Sequence, residues 1–229
     1  MLKIAHRGAS GYALENSFAA FDKAVELGVD SIECDVRMTK DKKLVLMHDN
    51  RIERATKGRG KISKMTLAEL KQVEMNNGQK IPTLEEFIEK YKGKVKLLML
   101  DVKSISAAPR LVEIINKYKI HSEVLVASFK HPFLIDILIR DSAIQTGIAF
   151  NAYRYLKYLF IKKLFVLPAK LVGANIVDIY YKFVDQKVVD RAHKYYLKIY
   201  VYSPNKQADI DRMKSYGVDA IISDYPDRI

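Results

Sequence analysis

Two apolar rhythms alternate along this chain. Short strand-like runs rich in aliphatic and aromatic residues fall at residues 3–6, 31–35, 95–100, 123–128, 144–150, 174–180, 198–202 and 220–223, and 95–100 is nearly continuous, as a strand buried on both faces should be. Between them apolar residues recur three and four apart, as on a helix with one buried face. That spacing predicts helices opening at 15–17 and running to 27, then over 67–73, 84–91, 110–118, 133–140, 184–196 and 208–216. Asn16 or Ser17 suits the cap of the first helix, and Gly28 suits its end. Eight strands separated by helices predict the α/β class and a closed (β/α)8 TIM barrel over an open sheet. The 229 residues suit a single barrel domain spanning 1–229. One apolar run, 43–47, is surplus and reads as a hairpin off strand two, followed by a short insertion at about 49–83. The last helix is expected to be missing or minimal.

The hairpin carries the first candidate chemistry. Side chains alternate faces along a strand, so Glu33 and Asp35 share one face and Cys34 takes the other. Two neighbouring carboxylates repel unless positive charge lies between them, which points to a hard divalent cation, Mg2+ or Ca2+. An ordinary buried strand pair with a solvated end accounts for the same spacing. A turn at Lys40–Asp41 would set His48 opposite Glu33, although Lys-Asp is not a favoured two-residue turn.

Barrel enzymes place their chemistry at the C-terminal ends of the strands. Those ends here carry His6 and Arg7, then Glu33 and Asp35, then His48, then Asp101 and Lys103. Burying so many ionisable groups without partners would be costly. Three carboxylates, two histidines and two cations are close to complementary around a metal and a phosphate. Arg7 presents a planar donor fork, Lys103 a point charge, and the histidines exchange protons near neutral pH. His121, His131 and His193 sit near helix or loop boundaries and read as structural.

Composition narrows the compartment and the partners. One cysteine excludes an internal disulfide framework, and no apolar run spans a bilayer, so the expectation is a cytoplasmic protein. A net charge of +12 favours anionic partners, or describes only a lysine-rich surface. Residues 142–177 hold no acidic side chain, and 153–172 is aromatic and basic. This stretch reads either as a packed barrel helix with lysines reaching outward or as a lip in peripheral contact with an anionic membrane. No stacked aromatic platform is visible, so no nucleic acid is expected as a partner.

At these residues the sequence resembles the glycerophosphodiester phosphodiesterase family. The resemblance rests on His6-Arg7-Gly8, Glu15-Asn16-Ser17, Glu33-Cys34-Asp35-Val36, Thr39-Lys40-Asp41, His48-Asp49, Arg54-Ala55-Thr56, Asp101-Val102-Lys103 and Ser223-Asp224-Tyr225-Pro226. It implies a barrel and metal-dependent hydrolysis of a glycerophosphodiester, a small molecule, to glycerol 3-phosphate and an alcohol. It also implies metal ligands at Glu33, Asp35 and Asp101, catalytic histidines at His6 and His48, and phosphate contacts at Arg7 and Lys103. Glu15 and Tyr202 are expected to contact substrate. Two departures stand out: Asp101 replaces the family's usual Glu, and Tyr202-Ser203-Pro204-Asn205 stands where Trp-Thr-Val-Asn is common. The rival readings are a lysophospholipase D-like enzyme acting on acyl-bearing lipids and a non-catalytic anion-binding barrel.

Overall fold

The computed structural model describes residues 1–150 and 165–229. Nine strands form one sheet: β1 (Leu2–Ala5), β2 (Ser31–Met38), β3 (Leu44–Leu46), β4 (Leu97–Val102), β5 (Val124–Ser128), β6 (Gln145–Phe150), β7 (Ile176–Tyr180), β8 (Lys198–Tyr202) and β9 (Ala220–Ser223). Eight of them are parallel and close into a barrel in the ring order β1-β2-β4-β5-β6-β7-β8-β9, because β1 pairs with both β2 and β9. The ninth, β3, runs antiparallel on β2 as the expected hairpin. The one-turn 3-10 helix Pro226–Arg228 follows β9.

Alternation along each strand divides the apolar residues between two layers. Leu98, Leu100 and Val102 of β4 face the helices together with Ile32, Cys34 and Val36 of β2. Ile4, Met99, Leu125, Ile176 and Ile222 fill the barrel interior. Cys34 is thus a small buried apolar group, as its face predicts. Residues between β3 and the helix Leu84–Tyr91 build a separate small core from Met47, Ile52, Ile62, Leu70 and Ile81.

Several element ends moved for local reasons. The third barrel strand runs two residues further than the predicted 95–100, and Asp101 therefore lies within it, in register with Asp35. The strand predicted from 174 starts at Ile176, since the Ala174 N–H still bonds to the Ala169 carbonyl and closes the preceding helix, Val166–Leu171. The helix predicted over 184–196 spans Gln186–Lys194: Asp185 caps its start, and Tyr196 sits at φ +60°. Of the aromatic-basic stretch, residues 153–164 lie outside the described residues. On the described part, Leu167 and Leu171 are exposed. No helix among the described residues is long and apolar enough to cross a membrane.

Candidate active site

The chain leaves β1 under strain. Arg7 and Asn16 both hold left-handed backbone, at φ 55° and 54°. Gly8 between them sits at φ +80°, with Ala20 so near that a Cβ would meet its backbone at 2.6 Å. Such strain persists only where surrounding bonds over-determine it. Here the Arg7 N–H donates to Glu33 Oε2 (2.8 Å), and the Asn16 N–H donates to the Arg7 carbonyl (3.0 Å). The turn thereby folds Arg7 back over the end of β2.

Ser17 takes the cap of the helix Phe18–Glu26, accepting from the Ala20 N–H. Asn16 has a different task, which a capping explanation concealed. Its Nδ2 donates to Asp35 Oδ2 (2.8 Å) and its Oδ1 accepts the Asp35 N–H (3.0 Å), so one buried amide grips Asp35 at both ends.

Glu33, Asp35 and Asp101 are all buried and converge, with one oxygen of each within 4.8 Å of the others. Lys103 Nζ pairs with Asp35 Oδ1 at 2.9 Å and with Asp101 Oδ2. Arg7 Nε lies 3.1 Å from Asp35 Oδ2, an ion pair without hydrogen-bond geometry. Burial alone would raise Asp35, but Lys103 and Arg7 outweigh it and hold this carboxyl well below the ordinary carboxylate range. Burial, reinforced by Asp35 and Asp101, pushes Glu33 well up. Asp101 is raised by burial against the pull of Lys103, and its Oδ1 has no hydrogen-bond partner among the described residues. The triad is therefore short of positive charge and has an oxygen to spare, which fits a hard divalent cation.

The hairpin register departs from expectation by one residue. Observed pairs are Val36 with Leu46, Arg37 with Val45 and Met38 with Leu44, so the register extended down β2 would set His48 against Cys34 and not Glu33. The cause is the turn. It is a three-residue loop, 40–42, in which Lys42 adopts φ +60° and the Thr39 hydroxyl accepts the Lys43 N–H. His48 reaches the cavity regardless, because the pairing stops at Met47, whose N–H donates to the Asp35 carbonyl (2.9 Å). The Arg37 guanidinium donates Nε–H to the His48 carbonyl at 2.8 Å and so holds the diverging chain.

His6, Arg7, His48, Lys103 and the three carboxylates line one cavity of about 380 Å³ at the C-terminal mouth of the barrel. Each histidine is pinned through Nδ1, His6 to Asp224 at 2.6 Å and His48 to Asp49 at 2.8 Å. A carboxylate partner requires the proton on Nδ1, which leaves Nε2 of each ring for the cavity. Tyr202 also lines the cavity, packed edge-on to Phe129 (6.1 Å) and tilted to Tyr180 (5.5 Å), so an aromatic wall survives without tryptophan. Glu15 does not reach the wall. It stands behind, bridging Arg7 (3.0 Å) and Arg54, where it positions the Arg7 guanidinium. His121 and His193 pair with Asp141 and Asp219, each at 2.9 Å, outside this cavity.

Asn16, Arg37, Asp49, Asn205 and Asp224 escaped assignment from sequence. Asn16, Asp49 and Asp224 stood inside the family motifs and Asn205 inside a departure from one, and adjacency to His48 was the available signal for Asp49. Nothing local could have joined Asp224 to His6.

A profile of the glycerophosphoryl diester phosphodiesterase family matches residues 6–228. A glycerophosphodiester phosphodiesterase from Caldanaerobacter subterraneus subsp. tengcongensis is 30% identical over 240 residues, covering 100% of this chain and 96% of the relative. One from Bacillus altitudinis is 31% identical over 242 residues, with coverage of 100% and 96%. Among solved structures, a phosphodiesterase from Oleispira antarctica in complex with the product sn-glycerol-3-phosphate superposes with a TM-score of 0.88 at 28% identity, covering 99% of this chain and 94% of that one. Sequence and fold agree along the whole length, and the chain belongs to the glycerophosphoryl diester phosphodiesterase family.

Proposed function

We propose that this enzyme hydrolyses glycerophosphodiesters to glycerol 3-phosphate and an alcohol. The observation that carries the reading is the gathering, in the lining of one cavity, of two histidines, each pinned at Nδ1, with a buried carboxylate triad and two cations.

Glu33, Asp35 and Asp101 would hold a divalent cation, Mg2+ or Ca2+, whose charge offsets that building on the phosphoryl oxygens. Arg7, fixed by Glu15 and Asp35, binds phosphoryl oxygens with its free donors, and Lys103 adds charge beside them. His6 Nε2 takes the proton of the attacking hydroxyl as the new P–O bond forms. His48 Nε2 gives a proton to the departing alkoxide as the old P–O bond breaks. The attacker is water, or the neighbouring glycerol hydroxyl by way of a cyclic phosphate that water then opens.

The whole chain acts as one barrel domain with 49–83 inserted beside the mouth. Its setting is cytoplasmic. Leu167 and Leu171, exposed at the end of the aromatic-basic stretch, favour a second substrate class, acyl-bearing lysophospholipids met at an anionic membrane surface.

Release of choline or ethanolamine from glycerophosphodiesters and from lysophospholipids, with and without chelator, tests both readings. Chelator-sensitive release from the first group is expected. Release only from lysolipids would transfer the activity to the second class, and absent or chelator-insensitive hydrolysis of every substrate would overturn the assignment.

A further inference from the structure

One buried carboxyl group in the cavity has no part in this chemistry. Asp178 lies on β7, the sixth strand around the ring, directly across the barrel from β2 and its Glu33 and Asp35. It interrupts an otherwise apolar strand, Ile176-Val177-Asp178-Ile179, and shares the inward face with Ile176. Its side chain lines the same cavity as Arg7 and Lys103, it is 6% exposed, and its Oδ1 has no hydrogen-bond partner among the described residues. In register beside it stand Ala149, whose methyl has nothing to offer, and Tyr200.

An unpaired carboxyl at this depth destabilises the fold that contains it. A sequence that needed only packing would put an aliphatic residue here, as at Ile176 and Ile222. Asp178 lines a cavity that must also hold the organic part of a phosphodiester. With the phosphoryl group at Arg7 and Lys103, the remaining space reaches toward β7, where Met99, Ile222 and the Tyr202 ring supply apolar walls and Asp178 the polar group among them.

We propose that Asp178 is a specificity-determining residue that hydrogen-bonds a hydroxyl of the substrate's glycerol unit. The proposal rests on the glycerophosphodiester reading of the site. Hydroxyls distinguish glycerol phosphodiesters from phosphodiesters at large, and a buried acceptor rejects a ligand that leaves it unpaired. A cationic headgroup suits the position less well, because Lys103 lines the same cavity. Burial, reinforced by Asp101, also pushes the Asp178 carboxyl well above the ordinary carboxylate range, which favours a neutral hydroxyl partner over an ammonium.

Asp178→Leu and Asp178→Asn in the metal-loaded enzyme test this. Two ratios are read: kcat/KM for glycerophosphocholine over bis(p-nitrophenyl) phosphate, which has no glycerol, and calorimetric affinity for sn-glycerol 3-phosphate over inorganic phosphate. Both are expected to fall about tenfold in the leucine variant, the scale of one hydrogen bond, and less in the asparagine variant. The melting temperature is expected to hold or rise, since the unpaired carboxyl is gone. Unchanged ratios would overturn the proposal, as would equal losses on both substrates with a lowered melting temperature, which mark a structural residue. A wild-type enzyme that turned over neither diester would sink the hydrolase reading instead, and the calorimetric ratio would still decide Asp178.

Discussion

His6 Nδ1 lies 2.6 Å from Asp224 Oδ1, joining residues 218 positions apart at the two ends of the barrel sheet. Asp224 is itself immobilised, accepting from Ser10 Oγ (2.9 Å) and Asn205 Nδ2 (2.6 Å). The adjacency of β1 and β9 makes the contact possible. It sets the tautomer and the aim of one histidine, while Asp49, tied to Arg54, does the same for His48.

The His48→Ala enzyme should lose on the order of 10²–10⁴ in kcat, the usual worth of one general acid or base. Its far-ultraviolet dichroism should match wild type, because His48 sits beyond the last β3 pairing. Near-normal turnover in single-substrate kinetics would remove this histidine from the mechanism.

Asn16→Ala should weaken metal binding by about 10- to 100-fold, the range seen when groups that orient metal ligands are removed. Both of its side-chain bonds go to Asp35, so a metal-indicator competition assay reads the effect directly. Unaltered affinity would leave Asn16 a purely structural group.

Stripping metal should abolish hydrolysis, and adding Mg2+ or Ca2+ back should restore it and raise the melting temperature. At a concentration 100 times Kd the stabilisation would be about 2.7 kcal/mol. Asp101→Glu lengthens the side chain that carries the unpartnered Oδ1 and should bind metal more tightly than wild type. Weaker binding by the glutamate variant would indicate that the cavity has adjusted to the shorter residue.

The acid limb of stability should carry the signature of Asp224. Burial would raise its pKa, but His6, Ser10 and Asn205 bring it down to about 2. A carboxyl depressed on folding stabilises the protein above its unfolded value near 4, and that contribution is lost as pH falls from there through about 2. With its side chain 30% exposed, the effect is on the order of 1–2 kcal/mol after solvent screening. Denaturant melts of wild type and Asp224→Asn should therefore differ at pH 6 and converge toward pH 2. A constant gap across that range would mean that the pair does not set the titration.

Alternation and period were enough to reveal the barrel from the chain alone, because buried parallel strands must be apolar on both faces and their helices on one. The same rule exposed the candidate carboxylates. Asp101 in Leu-Met-Leu-Asp and Glu33 with Asp35 in Ile-Glu-Cys-Asp are charges where packing alone would select aliphatics. Asp178 sent that signal too, in Ile-Val-Asp-Ile, and carried no motif to draw attention to it.

Tertiary structure decided what sequence distance hides. The one-residue change in hairpin register came from a left-handed backbone at Lys42, a conformation a lysine rarely adopts and local pattern does not announce. The division of labour between Asn16 and Ser17 depended on β2 lying beside the first helix's entry, since both side chains cap equally well in isolation. Barrel closure alone brought Asp224 to His6 and set Asp178 opposite the carboxylates. Strand identity is a local property of side-chain hydration and alternation, whereas which strand ends face one another follows only from closing the ring.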